Sequence, residues 1–90
     1  MPRRTIHATI VNRLGLHARP AMAFVDCAAA FRSAVSVRKG ETEVDGKSIM
    51  QMMMLAATKG TTLDITVDGD DADAACDAIS RLVSDGFGEE

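Results

Sequence analysis

Gly15-Leu16-His17-Ala18-Arg19-Pro20-Ala21 is the stretch that organises this chain. A polar bend, Asn12-Arg13-Leu14-Gly15, precedes it, and an alanine-rich run from Ala21 to Phe31 follows it. His17 therefore falls at a strand-to-helix junction, at or just before the first helical turn. Pro20 suits that turn, where its missing N–H costs no intrahelical bond. The backbone N–H groups of Ala18 and Arg19 and the positive end of the helix dipole would serve an anion held at His17. Arg19 adds a forked set of donors that matches phosphate oxygens. A nucleophilic imidazole in such a setting suggests a histidine that carries a phosphoryl group. The plainer alternative is a solvated loop histidine. No second His, Ser–His pair or carboxylate pair stands nearby to build a triad or an acid/base dyad.

Outward from this junction the periodicities are clear. Thr5 to Val11 alternates, with Ile6, Ala8 and Ile10 on one face, which predicts a half-buried strand with His7 as an ordinary surface residue. The first helix is predicted from about Ala18 to Ala30, with Phe24, Ala28 and Phe31 on one stripe and Met22 and Ala23 exposed near His17. Ser33 to Lys39 reads as a second strand, Val35 and Val37 inward. Lys39-Gly40 reads as a tight turn, and Glu41 to Asp45 as a short, polar edge strand. Asp45-Gly46-Lys47-Ser48 opens a helix from about Ser48 to Ala56, with Ser48 as its N-cap. Met52 and Leu55 would face the core and Ile49, Met50 and Met53 another face; a wholly Met-filled core is the other reading of that spacing. Lys59-Gly60 is predicted to break this helix.

Thr62 to Asp68 is the cleanest strand, with Leu63, Ile65 and Val67 inward. Gly69-Asp70 reads as a turn with an N-cap at Asp70. The last helix is predicted over about Ala72 to Asp85, burying Ala72, Ala75, Cys76, Ile79, Leu82 and Val83. Asp70, Asp71 and Asp73 read as a solvated helix start rather than a metal site. Gly86 and Gly88 end the element, and Glu89-Glu90 are expected to fray. The order β-α-β-β-α-β-α predicts an α+β fold. It is an open-faced β-sandwich, a four-stranded antiparallel sheet with three helices on one face.

Ninety residues make a single domain, 1–90. Hydrophobic residues are 47% of the chain but aromatics only 3%, so Ala, Val, Ile, Leu and Met must fill the core. Apolar runs such as Ala28 to Phe31 fall far short of the roughly 20 residues of a membrane span. The start Met1-Pro2-Arg3-Arg4-Thr5 has no signal-peptide apolar segment. A cytoplasmic protein with no membrane insertion is expected. Cys27 and Cys76 are expected as buried free thiols, and no CxxC or HxxxH spacing offers a metal site. No metal and no cofactor is expected. The formal net charge of −3 argues against nucleic acid as a partner. Acidity is concentrated in the last third, at Asp64, Asp68, Asp70, Asp71, Asp73, Asp77 and Asp85, whereas Arg13 and Arg19 lie near His17. That asymmetry favours a phosphorylated or acidic partner surface at His17.

Gly15-Leu16-His17-Ala18-Arg19-Pro20-Ala21 resembles the active-site signature of HPr, the histidine-containing phosphocarrier family of the bacterial phosphotransferase system. Lys47-Ser48-Ile49-Met50 resembles the second motif of that family, around its regulatory serine. The strand from Gly60 to Val67, Gly69-Asp70-Asp71-Ala72 and Phe87-Gly88-Glu89 follow in the family's order, so the resemblance spans nearly the whole chain. It implies a covalent phosphoryl carrier, turned over by its partners rather than an enzyme itself. Enzyme I, charged by phosphoenolpyruvate, would donate a phosphoryl group to Nδ1 of His17, giving the pros-phosphohistidine. His17 would pass it to enzyme IIA domains on the path to sugar uptake. The resemblance makes Arg19 and the N–H groups of Ala18 and Arg19 the phosphate contacts. It makes Ile49, Met50 and Met53 a partner-docking surface, for which pliable methionines are suited, and Met22, on the sparsely charged outer face of the first helix, is expected to join them. A monomer is expected.

In many members of the family an HPr kinase/phosphorylase modifies the serine matching Ser48. A phosphate there adds about −1.5 to −2 charge to the docking face and hinders loading of His17; a plain N-cap is an equally good reading of Ser48 from sequence. Two other functions stay open at this point. One is a carrier in a nitrogen-related phosphotransfer relay, with the same chemistry. The other is a regulatory interaction protein switched at Ser48 alone, against which the presence of His17 counts.

Overall fold

Thr62–Asp68 pairs on both sides and forms the middle of the molecule. The computed structural model describes residues 2–89. In chain order the elements are β1 (Arg3–Thr9), α1 (Ala18–Ala29), β2 (Ala34–Lys39), β3 (Thr42–Asp45), α2 (Ile49–Met54), β4 (Thr62–Asp68) and α3 (Ala72–Ser84), followed by a 3-10 turn at Gly86–Gly88. The sheet order is β1-β4-β2-β3, and each neighbouring pair is antiparallel. The predicted element order and open-faced architecture are those observed.

Register explains why one face is greasy and the other wet. Ile65 lies opposite Ile6 on β1 and Val37 on β2, and Val67 lies opposite Val35. Leu63, Ile65, Val67 and Val37 have no exposed surface. The helices cover this face with Phe24, Ala28, Met52 and Ile79, also fully buried. Burying each of the larger side chains contributes about 1.5–3 kcal/mol. The alternate residues form the bare face, where Thr5 meets Thr66 at 3.1 Å and His7 Nδ1 meets Asp64 Oδ1 at 2.6 Å. His7 is thus a surface residue, as its place on the outer face of the strand predicts. β3 is the short polar edge expected of Glu41 to Asp45.

Several boundaries differ from expectation for physical reasons. α2 stops at Met54 rather than Ala56, because Ala56 takes a left-handed φ of 49°. The helix therefore breaks before Lys59-Gly60. Lys39 Nζ donates to the Leu55 carbonyl at 3.0 Å and satisfies that end. The N-cap of α3 is Asp71, not Asp70, and the Asp71 side chain does not cap its own helix. Its carboxylate instead accepts from the backbone N–H groups of Arg32 (2.8 Å) and Ser33 (3.0 Å) and from the Ser33 hydroxyl (2.5 Å). These bonds, the Ser33 hydroxyl first, hold the Asp71 carboxyl at about 2. They pin the start of α3 to the entry of β2. Cys76 is buried as expected, but Cys27 is only half-buried, since it lies beside the inward stripe of α1 rather than on it. Leu82 is also half-buried. Among the described residues no helix is long and apolar enough to cross a membrane.

Candidate functional site

His17 is the N-cap of α1, with extended backbone angles (φ −82°, ψ −168°). The first intrahelical bond runs from the Ala21 N–H to the His17 carbonyl, 3.0 Å. The helix therefore offers no partner to the N–H groups of Ala18 and Arg19. Pro20, third in the helix, has no N–H to satisfy and is buried beneath the turn.

The bend before His17 is fixed by three contacts. The Leu16 side chain is buried, and its N–H donates to the Ala57 carbonyl at 2.8 Å. Gly15 takes φ +69°, and a Cβ there would come within 2.5 Å of the Ala57 oxygen, so only glycine fits. Asn12 is buried and donates from Nδ2 to the Gly15 carbonyl at 2.7 Å. The loop that leaves α2 thus sits directly against the loop that presents His17.

The chain end completes the site. Gly86, Phe87 and Gly88 take φ values of 65°, 59° and 76°, a left-handed turn that swings Glu89 back over the start of α1. Phe87 packs against the core and anchors the turn. Glu89, expected to fray, is instead tied in, its side chain only 20% exposed. Glu90 lies outside the described residues. The His17 Nε2–H donates to Glu89 Oε1 at 2.9 Å, and Asn12 Nδ2 donates to the same oxygen at 3.2 Å. The His17 bond first, and the Arg19 guanidinium among the further causes, hold the Glu89 carboxyl below the usual carboxylate range. It is ionised at neutral pH and can only accept, so Nε2 carries the proton and Nδ1 keeps a free lone pair in the neutral ring. Asn12 Oδ1 is buried with no donor among the described residues. That costs stability, offset by the two bonds its amide nitrogen makes to the Gly15 carbonyl and Glu89.

Met22, Ile49, Met50 and Met53 are 50%, 39%, 79% and 45% exposed, on two helices that pack together. Sequence reasoning left out Met54 and Leu14, also exposed, which extend the apolar surface around the same loops. Ser48 is the N-cap of α2, its Oγ accepting from the Gln51 N–H at 3.3 Å. It sits at the opposite end of that short helix from Ala57. Among the described residues no group of His, Cys, Asp and Glu is arranged to hold a metal ion. A cavity of about 560 Å³ opens between β1 and α3, lined by His7, Ala8, Val11, Ser80, Arg81 and Val83 among others. His17 does not line it, so the histidine presents its chemistry at the surface. Glu89 and Asn12 escaped sequence reasoning. A local signal that could find Glu89 is the Gly86-Phe87-Gly88 spacing, which permits a reversal.

The chain is similar in sequence and in fold to known proteins. A family model described as the PTS HPr component phosphorylation site matches residues 5–85. The phosphocarrier protein HPr of Neisseria meningitidis serogroup A is 48% identical over 80 residues, covering 89% of this chain and 90% of that protein. That of Pseudomonas aeruginosa is 47% identical over 85 residues, covering 93% and 94%. The crystal structure of HPr-C-His from Thermoanaerobacter tengcongensis superposes with a TM-score of 0.89 at 41% identity, covering 100% of this chain and 99% of that one. The chain belongs to the HPr family, the phosphocarrier proteins of the phosphotransferase system.

Proposed function

We propose that Nδ1 of His17 accepts a phosphoryl group from phosphoenolpyruvate-charged enzyme I and passes it to enzyme IIA domains in sugar uptake. The observation that carries this reading is the Nε2–Glu89 contact at 2.9 Å, which leaves Nδ1 as the nucleophilic nitrogen beside a helix start. In loading, the Nδ1 lone pair attacks phosphorus and the bond between phosphorus and the donor breaks, its electron pair staying with the donor. The N–H groups of Ala18 and Arg19, with the Arg19 guanidinium, stabilise the phosphoryl oxygens during transfer and in the carried state. Passing the group on reverses these steps. The chain returns unchanged after each cycle, so it acts as a carrier and its partners are the enzymes. It works in the cytoplasm as a monomer.

Met22, Ile49, Met50 and Met53 form the docking surface shared by donor and acceptors. Ser48 is the regulatory position of this reading. A phosphate there, added by an HPr kinase/phosphorylase, keeps acceptor oxygens for the helix N-terminus and puts negative charge beside Ile49 and Met50. The test is a relay. Label moves from phosphoenolpyruvate through enzyme I to this chain, and leaves it when an enzyme IIA domain is added. Label that loads but passes to no IIA domain would remove the second half of the proposal.

A further inference from the structure

A carrier must give its group up as readily as it takes it, and the leaving group decides how readily. When the Nδ1–P bond breaks, its electron pair returns to Nδ1. If Nε2 is protonated at that moment, the departing ring is a neutral imidazole. If Nε2 has lost its proton, the departing ring is an imidazolate anion, a far poorer leaving group. Nε2 is the nitrogen that Glu89 touches, 2.9 Å away. Glu89 Oε1 is held there by the buried Asn12 amide and by the left-handed turn at Gly86–Gly88. The His17 bond first, with the Arg19 guanidinium adding to it, keeps the Glu89 carboxyl below its ordinary value.

We propose that Glu89 is a positioning residue that keeps the proton on Nε2 while Nδ1 carries the phosphoryl group, so that His17 leaves as neutral imidazole. This rests on the carrier reading of His17 and deepens it. Before loading, the same contact hides Nε2 and directs phosphorylation to Nδ1. After loading, the Nδ1 lone pair is committed to the bond to phosphorus, so the ring carries positive charge whenever Nε2 is protonated and gives up that proton far more readily than the unloaded neutral ring; a carboxylate at hydrogen-bond distance opposes the loss. Glu89 then contributes little at low pH, where the ring is protonated in any case, and most above neutrality.

The test uses phosphoramidate, a small phosphoryl donor that needs no partner protein, on the full chain and on Glu89→Gln. The glutamine keeps the shape and an acceptor oxygen and removes the charge. Phosphorus and nitrogen NMR report which ring nitrogen is loaded and the pH at which the phosphorylated ring loses its other proton. Wild type is expected to load on Nδ1. In Glu89→Gln the deprotonation midpoint should fall by about one pH unit. Loss of the phosphoryl group from Glu89→Gln should match wild type at low pH and be several-fold slower in the range between the two midpoints. A merely structural role would slow it equally at every pH. Coincident midpoints, or loading of wild type on Nε2, would overturn the proposal. If enzyme I fails to load a chain that phosphoramidate loads with these properties, the carrier reading falls and the role of Glu89 stands.

Discussion

Glu89 Oε1 lies 2.9 Å from His17 Nε2, a contact that brings residues 72 apart in sequence into one site. Its Asn12 bond makes the two ends of the chain one unit around the helix start. Truncation after Phe87 should therefore slow phosphoryl loading by enzyme I, while α1, the sheet and the docking methionines stay in place. Circular dichroism on the truncated chain should remain that of the full chain, and a rapid-quench loading assay should show the defect.

Gly15→Ala tests the loop that presents His17. The left-handed φ costs a non-glycine residue about 1–2 kcal/mol, and the added Cβ meets the Ala57 oxygen at 2.5 Å. The backbone must shift, and Leu16 and His17 shift with it. The variant should unfold at lower urea concentration than wild type and load phosphate more slowly. Unchanged loading in a destabilised chain would show that the loop tolerates displacement.

Acid stability follows from Asp71. Its folded-state value, about 2, is below its ordinary 3.8, so the unfolded chain binds the proton first as pH falls. The stabilisation it supplies is present above about pH 4 and drains away toward pH 2. Asp71→Asn should lower stability at neutral pH and flatten the decline across that window, read from urea midpoints at a series of pH values. Glu89, also held below its ordinary value, adds a contribution of the same sign.

These cases show what the sequence makes legible. The alternation in Thr62–Asp68 exposes a strand because neighbouring residues report it locally, and the junction at His17 is visible because Pro20 and the alanine run mark a helix start. The exposed methionines of α2 emerge from helical spacing, and the docking role proposed for them comes from family resemblance. Local sequence places the N-cap at Asp70 and leaves Asp71 in a solvated helix start, because the groups that Asp71 binds, Arg32 and Ser33, lie far away in sequence and carry no local mark. Glu89 reads locally as a fraying end because its return depends on three successive left-handed residues, one of them Phe87, which favours no such angle on its own. Ala56 ends α2 early by the same kind of tertiary override.

Ser48 separates capping from docking. Ser48→Ala loses the bond to the Gln51 N–H and should cost about 1 kcal/mol of stability. Ser48→Asp keeps a capping oxygen and should hold stability near wild type. It places a charge beside Ile49 and Met50, and should raise the concentration of this chain that enzyme I requires. Titration calorimetry with enzyme I, paired with urea unfolding, reads both effects. A tight-binding Ser48→Asp would argue against regulation at this position.

Met50, 79% exposed, carries the same logic without a cap. Met50→Asp should change stability by no more than about 0.5 kcal/mol, as for an ordinary surface site. It should weaken enzyme I binding and leave chemical loading by phosphoramidate untouched. A loss of both kinds of loading would show that the residue supports the site rather than docking.

The central claim is that His17 carries the phosphoryl group. The chain and its His17→Ala variant are incubated with enzyme I and labelled phosphoenolpyruvate, and acid-labile label is counted on each. Label on the wild type that acid removes, and none on His17→Ala, is the predicted result. Label that survives acid, or that persists on His17→Ala, would contradict it and move the acceptor elsewhere on the chain.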